Sequence, residues 1–151
     1  MQVFLSNIPL FLFFLSIYFL QENILILLFY VGGFIANELL NRVLKPIMKD
    51  PRPRPLSPTD KYGMLSSHSQ LAAFSLVFMT LVLQEKYYVY AWQIILLFSV
   101  LTLVSMAQRI ATKAHSLKQV IVGGLLGGVL GYIFYSLFNV VNKNISKKGI
   151  L

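Results

Sequence analysis

The chain has 151 residues, 57% hydrophobic and only 12% charged, with a formal net charge of +8. A soluble domain of this length carries more polar surface, so one compact membrane domain over 1–151 is expected. The absence of cysteine excludes disulfides, zinc thiolate sites and a cysteine nucleophile. The charges sit in short segments between apolar runs, which fits anionic lipid headgroups, orientation signals or a phosphate site and fits nucleic acid poorly.

Hydropathy predicts five helices, at about 3–20, 24–44, 69–83, 90–107 and 119–141. The expected fold class is all-α, a polytopic membrane helix bundle of about five transmembrane helices. A bilayer core needs roughly 20 helical residues and tolerates about 17, so the first and third are near the short limit. The first run could serve instead as a signal peptide, but it lacks a basic n-region and a small-residue cleavage site. Inside the second helix stands Glu38, a carboxylate that is costly in lipid unless paired; Arg42 lies one turn on, with Asn37 and Asn41 nearby. A structural or supporting role near the site fits Glu38 better than direct catalysis.

The connection from Pro46 to Leu65 holds Pro46, Pro51, Pro53, Pro55 and Pro58 and predicts an extended, stiff strap. Proline content alone fits an ordinary connector equally well. The fifth helix carries Gly123, Gly124, Gly127, Gly128 and Gly131 on one broad stripe, where small residues let helix backbones approach. The expected partner is a helix of the same chain; the alternative use of the stripe is the seam of a homo-oligomer.

Counting spans places residues 45–65 and 109–118 on one face of the membrane, together with the amino terminus. That face holds both histidines, His68 and His115. Phosphoryl transfer needs positive charge and donors around three oxygens, an in-line nucleophile and an acid for the leaving group. Lys45 offers a point charge, and Arg52 and Arg109 offer planar forks. Ser66 and Ser67 precede an apolar helix, where capping and free backbone N–H groups suit an anion. An imidazole can act as nucleophile or proton donor near neutrality. Taken singly, a boundary lysine or arginine is ordinarily an anchor, a boundary histidine is ordinarily solvated, and Ser66 and Ser67 are ordinarily caps.

Together the segments Lys45-x6-Arg52-Pro53, Ser66-Ser67-His68 and Arg109-x5-His115 resemble the three-part signature of the type 2 phosphatidic acid phosphatase superfamily. The run Tyr62-Gly63-Met64-Leu65-Ser66-Ser67-His68-Ser69-Gln70 resembles its dolichyl-diphosphatase branch most. The resemblance covers roughly residues 37–131. It implies a membrane phosphatase with no metal and no other cofactor. Lys45, Arg52 and Arg109 would cradle the phosphoryl group, Ser66 would donate to it, and Ser67 would contribute its backbone N–H. His115 would attack phosphorus. His68 would protonate the leaving oxygen and then activate water.

Three positions depart from the wider superfamily pattern. Leu65 stands for proline, Gln108 for serine and Gln119 for aspartate. Gln119 is expected one helical turn from His115, where it could orient the imidazole without stabilising its cation as a carboxylate does. The His115-x3-Gln119-Val120 form resembles the dolichyl-diphosphatase branch, which favours activity; the alternative is a catalytically impaired lipid-binding member.

The branch implies a polyprenyl (dolichyl) diphosphate as membrane lipid substrate. Phosphatidic acid or another lipid phosphate, or a structural membrane subunit, are the alternatives. Basic residues are denser on the site's face, which alone reads as cytosolic. The family implies the other side, and with it an endoplasmic reticulum membrane and a lumenal site.

Overall fold

The structure is a computed structural model that describes residues 7–54, 62–86 and 90–148. Five helices follow in order: α1 (Ile8–Leu20), α2 (Ile24–Met48), α3 (Ser67–Lys86), α4 (Ala91–Ala111) and α5 (Leu117–Lys147). Helices α2, α4 and α5 are long and apolar enough to cross a membrane. Residues 1–6, which include part of the first expected span, lie outside the described residues, as do Pro55 and Pro58 of the strap.

The bundle is apolar on the outside and partly polar within. Phe14, Leu28, Ile35, Leu96, Leu103 and Leu125 face outward, whereas Asn37, Asn41, Ser69, Gln70, Ser75 and Thr102 are buried. Acyl chains solvate such an outer surface, while polar groups at membrane depth must bond one another. Helix α3 is the hub, with Ala72, Phe74, Phe78, Met79 and Leu83 fully covered. In its polar opening Ser69 and Gln70 are buried against protein, while Ser67 and His68 are half-buried.

Two devices hold α3 in place. The first is the glycine stripe, which packs within the chain. A Cβ on Gly123 would lie 2.7 Å from the Ser66 carbonyl oxygen, and one on Gly131 would lie 2.8 Å from that of Phe74. On Gly127 it would overlap the Gln70 carbonyl oxygen. The second is a buried amide ladder between α2 and α3. Asn37 donates to the Gly33 carbonyl (2.9 Å), Gln70 donates to the Asn37 side chain (3.0 Å), and Asn41 donates to the Gln70 side chain (2.8 Å) and the Leu65 carbonyl (3.2 Å). Apolar packing continues below, where Tyr30 meets Phe74 and Phe78 at ring-centroid distances of 5.5 and 5.3 Å.

Helix α2 runs past its expected end at residue 44 and takes Pro46 inside its last turn. Proline removes one N–H, but the exposed final turn leaves the orphaned carbonyl within reach of solvent. Lys49, left-handed at φ 48°, closes the helix by donating its N–H to the Lys45 carbonyl at 3.2 Å. The extended strap therefore begins at Asp50 rather than Pro46. Helix α3 starts at Ser67, two residues earlier than hydropathy indicates, because polar residues occupy its first turn.

Candidate active site

The turn between α4 and α5 sets the centre of the site. Lys113 is left-handed at φ 55°, and the His115 N–H returns to the Arg109 carbonyl at 3.1 Å. Ser116 is the N-cap of α5: its hydroxyl accepts from the Gln119 N–H at 3.3 Å, and the Gln119 side-chain oxygen accepts from the Ser116 N–H at 3.1 Å. This capping box satisfies two N–H groups at the start of the helix. It also leaves His115 one residue ahead of the cap, outside the helix.

His115 is 2% exposed. Its Nδ1 lies 2.9 Å from the Gly63 carbonyl oxygen. A carbonyl only accepts, so Nδ1 carries the proton and Nε2 presents a lone pair. Arg52 faces that lone pair, with Nη1 3.2 Å from Nε2. The same guanidinium donates to the Ala114 carbonyl and, through Nε, to the Tyr62 carbonyl, each at 3.2 Å. Burial holds the imidazole down to about pKa 3, reinforced by the charges of Arg52, Arg109 and, last, Lys45, against the raising effect of the Gly63 carbonyl. The neutral ring is therefore the resting form.

Lys45 sits in the last turn of α2 and Arg109 in the last turn of α4. Two helix carboxyl ends thus deliver cations to one imidazole, and the strap delivers Arg52. Ser66 precedes α3; its carbonyl accepts from the Gln70 N–H (3.0 Å) and its N–H meets the Gln119 carbonyl (3.4 Å). Its hydroxyl is fully buried and accepts from Ser69 at 3.0 Å. Ser67 and His68 are half-buried and line a cavity of about 280 Å³ with Asn7, Phe34, Glu38 and Leu71. Glu38 pairs with Arg42 at 3.2 Å, the local i,i+4 partner expected for it.

The motif segments meet at one end of the bundle. Two groups result: His115 with Arg52, Arg109 and Lys45, and Ser67 with His68 on the cavity between α1, α2 and α3.

Gln119 does not orient His115 as expected. The one-turn spacing assumes both residues are helical, but His115 precedes the N-cap. The Gln119 amide instead donates to the Asp50 carboxylate at 2.6 Å and to the Pro51 carbonyl at 2.9 Å. Sequence reasoning also passed over Asp50, the Gly63 carbonyl and Ser69. The strap pairs Pro51 with Tyr62, and the Gly63 N–H donates to the Asp50 carbonyl at 2.8 Å. Glycine is required at 63 by close approach: a Cβ there would lie 2.7 Å from the Gln119 amide nitrogen. The one available signal was that Asp50 and Gly63 lie within the motif segments.

Residues 25–143 match the PAP2 superfamily. The chain is 30% identical to a dolichyldiphosphatase of Saccharomyces cerevisiae, covering 88% of this chain and 66% of that one. It is 34% identical to dolichyldiphosphatase 1 of Dictyostelium discoideum, covering 72% and 51%. It is 31% identical to the chloroplastic lipid phosphate phosphatase epsilon 1 of Arabidopsis thaliana, covering 80% and 44%. The chain thus spans about half to two thirds of the length of the two dolichyldiphosphatases and less of the third relative. Its fold is that of the transmembrane PAP2 type phosphatidylglycerolphosphate phosphatase from Bacillus subtilis, with a TM-score of 0.63 at 20% identity over 94% of this chain and 78% of that one. The helical membrane fold and the match over most of the sequence agree: the chain belongs to the PAP2 superfamily.

Proposed function

We propose that the chain is a metal-independent membrane lipid phosphatase that hydrolyses a polyprenyl (dolichyl) diphosphate to the monophosphate and inorganic phosphate. One observation carries the proposal: a buried, neutral imidazole shows its Nε2 lone pair to Arg52, with the charges of Arg109 and Lys45 converging on it. A terminal phosphoryl group can take over the Arg52 contact and place phosphorus in line with Nε2. The cations then neutralise charge on the equatorial oxygens as the transition state forms.

In the first step the Nε2–P bond forms and the P–O bond to the bridging oxygen breaks. The bonding pair leaves with the polyprenyl phosphate, which takes a proton from His68. In the second step His68 removes a proton from water, the hydroxide attacks phosphorus and the N–P bond breaks. The cation held on His115 in the intermediate is stabilised by the phosphoryl oxygens it carries. Ser66 and the Ser67 N–H complete the cradle at the start of α3. Positive charge from side chains supplies the stabilisation that a metal gives in other phosphatases.

The dolichyldiphosphatase relatives favour the diphosphate, and the Arabidopsis relative favours a broader lipid phosphate substrate such as phosphatidic acid. By the same likeness we place the protein in the endoplasmic reticulum membrane with the site toward the lumen. The test is a panel of dolichyl diphosphate, dolichyl phosphate and phosphatidic acid given to the purified chain in excess chelator. Faster turnover of the diphosphate, inhibited by vanadate, is expected. Turnover only after magnesium is added would overturn the metal-free chemistry, and preference for phosphatidic acid would overturn the substrate assignment.

A further inference from the structure

Resting on the phosphatase reading, we infer that Asp50 and Gln119 are positioning residues. Their hydrogen bond clamps the strap so that the Gly63 carbonyl, rather than a carboxylate side chain, fixes His115 with Nε2 as the attacking atom.

The contacts close into a ring. His115 Nδ1 donates to the Gly63 carbonyl (2.9 Å), and the Gly63 N–H donates to the Asp50 carbonyl (2.8 Å). The Asp50 carboxylate accepts from the Gln119 amide (2.6 Å), and the Gln119 oxygen accepts from the N–H of Ser116, the neighbour of His115 (3.1 Å). Gln119 is 1% exposed, while the Asp50 carboxylate is 29% exposed and its other oxygen lies 3.8 Å from Lys118 Nζ. The bare α-carbon of Gly63 lies against the same amide, so a side chain at position 63 would push the strap and Gln119 apart.

This geometry explains why a glutamine serves at 119. The strap presents two acceptors to it, the Asp50 carboxylate and the Pro51 carbonyl, and the amide nitrogen has two hydrogens for them. A carboxylate at 119 would face both acceptors at hydrogen-bond distance with nothing to donate. The change that would make the site look more like an acid–histidine pair should therefore damage it.

The test compares the wild type with Gln119→Glu and with the exchanged pair Asp50→Asn/Gln119→Glu. In the exchanged pair the amide introduced at position 50 can donate to the carboxylate introduced at position 119. In Gln119→Glu, kcat should fall about 100-fold with little change in KM, the effect of a misplaced reacting atom, and the exchanged pair should recover part of the loss, since the Pro51 carbonyl still meets a carboxylate oxygen. A second readout needs no turnover. In nitrogen-15 NMR of the histidine-labelled resting chain, His115 should be the Nδ1–H tautomer in the wild type and in the exchanged pair, and should lose that preference in Gln119→Glu. An Nε2–H tautomer in the wild type would overturn the inference even if no variant folds. So would Gln119→Glu as fast as wild type with its tautomer unchanged. A wild type with the expected tautomer that hydrolyses no lipid phosphate would instead overturn the phosphatase reading and leave the clamp standing.

Discussion

The two histidines lie at the same end of the bundle in opposite surroundings. His115 is buried before the cap of α5, with a backbone carbonyl on one nitrogen and a guanidinium on the other. His68 is half-buried in the first turn of α3 and borders an open cavity that also holds Glu38. The contrast matches two different tasks. A nucleophile has to be neutral, fixed and dry before substrate arrives, whereas a proton shuttle has to exchange protons with its surroundings in every cycle. On the proposed mechanism, environment divides the labour between two side chains of the same type.

Substituting each histidine separates them most sharply. His115→Ala should lose more than about 10⁴-fold in kcat on every substrate, because the lone pair offered to phosphorus goes with the ring. His68→Ala should lose less on a diphosphate than on phosphatidic acid, since an alkoxide leaving group needs the proton more than a phosphate does. Parallel losses on both substrates would remove the assignment of His68 as the acid.

The seam between their helices comes next. Gly127 sets the distance between α3, which carries His68, and α5, which begins two residues after His115. In Gly127→Ala the new methyl would overlap the backbone carbonyl of Gln70, which cannot rotate away. A loss of about 1–3 kcal/mol in stability follows from such overpacking. Gly32→Ala, where no packed neighbour lies within 4 Å of the added Cβ, should not lower thermal stability in detergent and serves as the control.

A further expected effect is on pH dependence. His115 takes up no second proton in the folded chain until the pH nears about 3, while its unperturbed value is 6.5. Between these values the unfolded chain binds a proton that the folded chain does not. Stability therefore falls as pH drops from about 6.5 toward 3. Melting curves of wild type and His115→Gln should converge or cross over that window, with the variant less sensitive to acid. Equal slopes would mean that His115 is not the buried neutral ring described above.

Much of the architecture was legible because it rests on local chemistry. The apolar runs gave five helices, the span count brought Lys45, Arg52, His68, Arg109 and His115 to one end, and the glycine stripe called for a partner within the chain. What the sequence concealed depends on contacts between distant segments. Gln119 looked like a neighbour of His115 because spacing assumes a continuous helix; Ser116 caps α5 and breaks that assumption. The acceptor for Nδ1 is a backbone atom of Gly63, which has no side-chain signature. Asp50 gains its importance from a residue 69 positions away, a pairing that only the strap's register creates. Pro46 marked a boundary that α2 overran, since an exposed last turn tolerates one missing hydrogen bond.

The most direct test is to quench turnover of diphosphate labelled in its terminal phosphate, in chelator, and to map the label on the chain. The expected result is an acid-labile, base-stable phosphate on His115 that is absent from His115→Ala. Label on His68, or continuing turnover in the His115 variant, would contradict it.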